Sequence, residues 1–272
     1  MSLRNIPPSM DSSAVARIDA RLRGIQAEQR VAIPLAIESG SRAWGFPSPD
    51  SDYDCRFIFV RSMDDYLALF AQRDVIETPL VDDLDVNGWD LVKALKLLLK
   101  GNAVVIEWIT SPIIYTADRW FRDEFRALAA RIADRELVAR HYLHLGERQR
   151  RTYFANDKQV PLKKIFYALR PAAALRWLRH HPDEAVAPMH FPTLLAECVA
   201  PDGVRALVDG LIAKKGNHSR TRGRRIAGVY RWLYRFGICR RARIVRCRTS
   251  LCWPGGACRR SGILPTGAGA IR

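Results

Sequence analysis

The sequence predicts an α+β fold: a core built on a mixed sheet over residues 12–115, an α-helical domain over 116–215, and a basic, Cys- and Arg-rich tail over 216–272. Three observations lead there. Short β-branched and aromatic runs alternate with helix-periodic stretches up to about Ala117, after which strand-like segments cease. The stretch Glu38–Val60 joins a Gly-Ser turn to a strand that begins beside two aspartates. From Gly210 onward the chain holds 14 Arg, 2 Lys and no acidic residue, so the whole net charge of +16 lies there and the first 209 residues are neutral. A length of 272 residues with 48% hydrophobic content suits one large or two modest domains with a sizeable core. No apolar run approaches the ~20 residues that cross a membrane. The N-terminus lacks the apolar segment of a secretory signal. A cytoplasmic protein with no membrane partner is expected, and its oligomeric state is left open.

Taken in order, Ser12–Gln29 reads as a helix, with Ala14, Val15, Ile18, Leu22 and Ile25 at helical spacing. Val31–Ile37 is an apolar strand in which Pro34 points to a sheet edge or a strand start. It delivers Gly40-Ser41. Pro47, Ser48, Pro49, Asp50 and Ser51 favour a turn, and Phe57–Val60 is strand-like. Asp52 and Asp54 bracket Tyr53, so on a strand both carboxylates look to one face. Two carboxylates so placed repel each other unless a cation lies between them, and hard oxygen donors suit Mg²⁺ or Mn²⁺. Gly40 allows close backbone approach and Ser41 offers a hydroxyl, a combination suited to phosphate. Met63–Phe70 forms a short helix. Leu84-Asp85-Val86 sets a third carboxylate on a strand. Asn87, with Asp90 three residues later, reads as the cap of a helix that runs through Leu99 and stops at Gly101.

Beyond the sheet, Asn102–Tyr115 is apolar except for Glu107, either a general base or the buried partner of an Arg. Arg119–Leu145 reads as one long helical region. Pro161–His181 is the next helix, with Leu162, Ile165, Phe166, Leu169 and Ala173 on its apolar face. Lys163, Tyr167 and Arg170 fall at i, i+4 and i+7 on another face, with Lys164 adjacent. Pro171 is expected to kink this helix or begin its second half. His180 and His181 are expected to be exposed. Two short helices, Pro188–Ala200 and Asp202–Lys215, follow. Cys55 and Cys198 lie in the body, and Cys239, Cys247, Cys252 and Cys258 in the tail at spacings that match no C-x-x-C zinc pair.

The string GSRAWGFPSPDSDYDCRF resembles the DNA polymerase β-type nucleotidyltransferase superfamily, and within it the RNA repair pathway DNA polymerase β family. Asn102–Tyr115 and the pattern KKxxYxLRP over Lys163–Pro171 resemble later parts of the same family. The resemblance implies a polymerase-β-like nucleotidyltransferase core and transfer of a nucleoside monophosphate from a nucleoside triphosphate to a hydroxyl. It implies metal binding by Asp52, Asp54 and Asp85, which are also the catalytic residues, with Mg²⁺ or Mn²⁺ as cofactor. It implies nucleotide binding by Gly40, Ser41, Arg42, Lys163, Lys164, Tyr167 and Arg170, with Arg42 either on phosphate or paired to an aspartate. An RNA end is the implied acceptor. The alternatives are an aminoglycoside-like small molecule, a protein hydroxyl, or an inactive nucleotide- or RNA-binding module. From about Asn217 the chain departs from the family pattern. A basic nucleic-acid-binding arm and a reading frame lost near Lys215 both explain that composition, the second more fully.

Overall fold

A computed structural model of the chain describes residues 2–154, 160–217, 222–223, 245–247 and 250–252. The strands are β1 (Ser2–Asn5), β2 (Ala32–Glu38), β3 (Tyr53–Val60), β4 (Val75–Glu77), β5 (Leu84–Asp90), β6 (Ile114–Asp118), the two-residue β7 (Val160–Pro161) and β8 (Arg222–Gly223), β9 (Val245–Cys247) and β10 (Ser250–Cys252). The helices are α1 (Ser12–Gln29), α2 (Gly40–Ala43), α3 (Met63–Leu67), α4 (Leu91–Leu99), α5 (Ala103–Thr110), α6 (Arg119–Ile132), α7 (Arg135–Tyr153), α8 (Leu162–His180), α9 (Phe191–Glu197) and α10 (Asp202–Asn217).

The first six strands form one mixed sheet in the order β1-β6-β2-β3-β5-β4. β3 and β5 run parallel, and the other neighbours are antiparallel. The period-2 alternation of β3 sends Tyr53, Cys55, Phe57 and Phe59 into the apolar cluster under α1, with Ile18, Leu22 and Ile25. Asp54, Arg56 and Ile58 alternate with these residues, and Ile58 belongs to the opposite core. That core packs Leu35 and Ile37 of β2 against α4 through α10, and β6 crosses the expected boundary at residue 116. One hydrophobic core is thus continuous from the sheet into the helices.

Several local expectations are corrected. β1 was not anticipated: Ser2–Asn5 lacks alternation and exists through its pairing with β6. Pro34 lies in an interior strand, where the β2–β3 register shifts between Ala32 and Leu35 and so tolerates the missing donor. Asn87 is a strand residue, and the cap of α4 is Asp90, whose carboxylate accepts the Val92 amide at 2.7 Å. The helical region expected from Arg119 consists of two helices, α7 starting where Asp134 accepts the amides of Glu136 and Leu137. Pro171 sits inside a continuous α8, and α10 is 16 residues long. His180 is exposed, while His181 is partly covered and stacks on Trp177 at 4.2 Å.

The chain divides into a unit Met1–Ile238 and a second unit Cys239–Arg272. In the first, Val160–Pro161 pairs antiparallel with Arg222–Gly223. In the second, β9 and β10 pair antiparallel, with Cys247 opposite Ser250. The expectations for the remainder of the 216–272 tail, Cys239 and Cys258 included, lie outside the described residues.

Candidate active site

β2 ends at Glu38, and the chain turns at once through Ser39 into α2. Gly40 has a φ of +61°, and a Cβ built there would stand 1.9 Å from Asp54 Oδ2. The glycine is therefore required twice, for its left-handed backbone and for the carboxylate packed against it. The same segment fixes the backbone of Asp54. Ser39 N–H donates to the Asp54 carbonyl at 2.8 Å, and the Asp54 amide donates to Glu38 Oε1 at 3.0 Å. Glu38 is fully buried and also accepts from the Tyr115 hydroxyl at 2.6 Å. Burial pushes its carboxyl up to about 8, against the pull of the Tyr115 and Asp54 donors.

Across the parallel pair, Asp54 stands directly beside Asp85. Arg56 bridges them: its Nη2 lies 3.2 Å from Asp54 Oδ1 and 2.6 Å from Asp85 Oδ2, while Nη1 donates to the Asp85 carbonyl at 2.7 Å. The Asn87 side-chain amide donates to the second oxygen of Asp85. Burial raises the Asp54 pKa; Arg56 opposes it, and the Asp85 and Asp52 carboxylates add to the rise. Asp52 itself is exposed. The strand begins one residue later, where the Tyr53 amide donates to Asp83 O at 2.8 Å, so Asp52 precedes the strand that carries Asp54.

Gly40, Asp54 and Asp85 are thus brought together, with Asp52 at the rim. Among the described residues no three Asp, Glu, His or Cys side chains converge as a metal cage. The donor chemistry nonetheless fits a divalent cation. Two oxygen-only side chains stand side by side, mutual repulsion contributes to the raised pKa of one of them, and a guanidinium already occupies the position between them.

Ser41 is 7% exposed, and its hydroxyl donates to Ser51 Oγ at 2.9 Å. Among the described residues Arg42 pairs with no aspartate carboxylate. Its guanidinium donates to the carbonyls of Ser51 at 2.7 Å and Asp52 at 3.3 Å and lies 3.8 Å over the Tyr53 ring. A cleft of about 720 Å³ opens between residues 8–11, the 47–51 loop, Arg42, Tyr53 and Asp83.

The helices close on the next three residues, Trp44-Gly45-Phe46. The Phe46 ring stacks on Phe166 at 4.4 Å and meets Phe191 edge-on at 5.8 Å. Trp44 meets Tyr167 edge-on at 5.6 Å, and its carbonyl accepts the Phe191 amide at 2.9 Å. Gly45, at φ +84°, leaves room for His190, whose Nε2 would be 2.5 Å from an added Cβ.

On α8 the expected basic face separates. Lys163 is exposed and acts electrostatically on Asp54. Lys164 is half-buried, its Nζ 5.0 Å from the Tyr167 ring centroid and 4.7 Å from that of Tyr153. Arg170 is 8% exposed, paired with Glu107 at 2.7 Å and lying 3.8 Å over Trp44. The N-terminal turns of α8 and its last residues, Arg179 and His180, reach the surface, while every residue from Ala168 to Leu175 is buried. Arg170 is therefore a buried joint rather than part of the wet face, and Glu107 is its partner.

Sequence reasoning missed Glu38, Arg56 and Tyr115. Glu38 and Arg56 carried a readable signal, Glu38 closing an otherwise apolar strand and Arg56 standing between Cys55 and the apolar run Phe57–Val60.

A family model described as "RNA repair pathway DNA polymerase beta family" matches residues 15–235. The match runs past Lys215 and Asn217, where departure from the family pattern was expected. The chain is also 39% identical over 199 residues to "Uncharacterized protein YcgL" of Bacillus subtilis (strain 168), an alignment covering 73% of this chain and 75% of that protein.

Proposed function

The chain belongs to the RNA repair pathway DNA polymerase beta family, and on that footing we propose that it is a metal-dependent nucleotidyltransferase that moves a nucleoside monophosphate from a nucleoside triphosphate to a hydroxyl, releasing pyrophosphate. The observation that carries this is the meeting of Gly40 with Asp54 and of Asp54 with Asp85 across parallel strands. A mixed sheet presenting a Gly-Ser turn and two strand-borne carboxylates at one edge supports a polymerase-β-like core.

In this reading Asp54 and Asp85, joined by Asp52 from the rim, hold two Mg²⁺ or Mn²⁺ ions. Such ions, when bound, stabilise charge on phosphoryl oxygens and ease deprotonation of an acceptor hydroxyl. Arg56 keeps the two carboxylates together and offsets their repulsion. Glu38 and Ser39 fix Asp54 through its backbone. Gly40 lets the polyphosphate approach the backbone, and Ser41, Arg42, Lys163 and Lys164 supply donors and positive charge along it. Tyr167, half-exposed at the end of the basic turn, offers a face for a base. Arg170 serves the nucleotide indirectly, by seating Trp44. An RNA end is the acceptor, in keeping with the family description.

The test is incorporation of labelled nucleotide, with divalent metal, into RNA, aminoglycoside and protein acceptors. Wild type should label RNA, and Asp54→Asn or Asp85→Asn should lower the rate by at least ~10²–10³-fold while leaving the fold intact. Labelling of another acceptor alone would reassign the substrate. Nucleotide binding without metal-dependent transfer, and indifferent to Asp54→Ala, would make the protein a binding module instead.

A further inference from the structure

Lys215, in the last turn of α10, is 4% exposed, an unusual place for an ammonium group. Its Nζ donates to the carbonyl of Phe46 and lies 5.1 Å from the centroid of the Phe46 ring. The Phe46 amide in turn donates to the Ser41 carbonyl at 3.0 Å. Gly45 N–H donates to Arg42 O at 3.1 Å, and Trp44 N–H to Gly40 O at 2.9 Å. A chain of hydrogen bonds therefore runs from α10 through Phe46 to Ser41. The Phe46 ring is already held by contacts with Phe166 and Phe191. Its carbonyl, however, needs a donor once buried, and a lysine reaching it from a remote helix costs desolvation that a methionine would not.

We propose that Lys215 is a positioning residue of the Gly40–Ser41 turn, its buried ammonium gripping the Phe46 carbonyl so that α10 holds the phosphate-facing turn in shape. The proposal rests on the nucleotidyl-transfer reading for what the turn binds, and not for the grip itself. Groups from each neighbouring element act on this ammonium: Lys163 of α8, Arg42 of α2 and Asp50 of the 47–52 loop. Burial pushes Lys215 down to about 8, Lys163 and Arg42 push the same way, and Asp50 opposes them. Its ammonium is thus lost in mildly alkaline solution, where an ordinary lysine keeps its own. With its folded pKa below the unfolded one, the charge costs global stability below about 8, and that cost is relieved as pH rises. Overall stability and the order of the turn should therefore move in opposite directions.

The experiment compares the full chain with Lys215→Met and Lys215→Arg by amide hydrogen exchange without substrate, and by the KM for triphosphate. The methionine variant should exchange ~10-fold faster at Trp44, Gly45 and Phe46 while α1 is unchanged. Its KM should rise ~10-fold with kcat within about threefold, and arginine, which stays charged, should restore both in part. In wild type, protection of these amides should fall as pH passes through about 8, and in the arginine variant it should not. Unchanged exchange at the three amides in Lys215→Met overturns the proposal. So does a raised KM with normal exchange, which would mean direct contact with the nucleotide. The wild-type pH series needs no variant to fold, and protection constant from pH 7 to 9 overturns the proposal as well. Absence of transfer in every chain would defeat the activity reading and leave the exchange data to decide this one.

Discussion

The turn that follows β2 is held from two sides by opposite means. On the strand side are Asp54, Arg56 and Asp85, charged groups drawn together in partial burial, and the buried Glu38 carboxyl, which accepts the Asp54 amide. On the helix side are Phe46, Phe166, Phe191, Trp44 and Tyr167, rings in stacked and edge-on contact. Burying like charges works against stability, whereas burying aromatic surface provides it. Stability and chemistry are thus divided between the two flanks of one short segment, and substitutions on each flank should separate them.

Among substitutions that leave the acidic side chains in place, Gly40→Ala should have the largest effect on activity. A methyl group 1.9 Å from Asp54 Oδ2, at a φ of +61°, must displace the carboxylate. A loss of about 100-fold or more in transfer is expected from a shift near 1 Å, with a much smaller change in Tm. Equal loss of both would erase the distinction between the flanks. Phe46→Ala should do the reverse and cost about 3–5 kcal/mol in chemical denaturation, because a fully buried stacked ring is removed.

Glu38→Gln sharpens the contrast through pH. Burial raises the Glu38 pKa from 4.5 to about 8. A folded pKa above the unfolded one gives a contribution that is complete below about 4.5 and lost as pH rises through about 8. The wild-type Tm should carry that decline between pH 5 and 8, and the glutamine variant should lack it. A variant whose Tm falls in parallel with wild type would show that Glu38 is not the source. The smallest effect is expected far from both flanks. Arg140→Ala removes an exposed pair with Glu136 at 3.5 Å and should change stability by no more than ~0.5 kcal/mol.

What the sequence revealed follows the same division. Asp54 is legible from the motif and the apolar run after it; Asp85 reads as lying at a strand end, whereas it stands second in β5, and parallel pairing makes the two neighbours. α1 was legible to the residue, because its five apolar positions keep one face. Asp52 was assigned to the strand because alternation has no marker for where pairing begins, and the Tyr53–Asp83 bond that sets the start joins residues distant in sequence. Asn87 reads as a cap because Asn suits both a cap and a strand side chain that bonds a neighbouring carboxylate, as it does with Asp85. Arg170 keeps helical register with Lys163, but it is buried against Glu107 of α5 and the Trp44 ring, which helical periodicity cannot see. Lys215 had no local signal at all, since its partner lies 169 residues away.

The Phe191 amide on the Trp44 carbonyl has a consequence for the order of events in synthesis. The strand pair carrying Asp54 and Asp85 can assemble on a nascent chain soon after β5 has emerged. The segment beside it stays without its clamp until α9 has followed. A ribosome would therefore carry the acidic pair well before the Trp44–Phe46 segment was fastened, and that segment would settle with the last third of the chain.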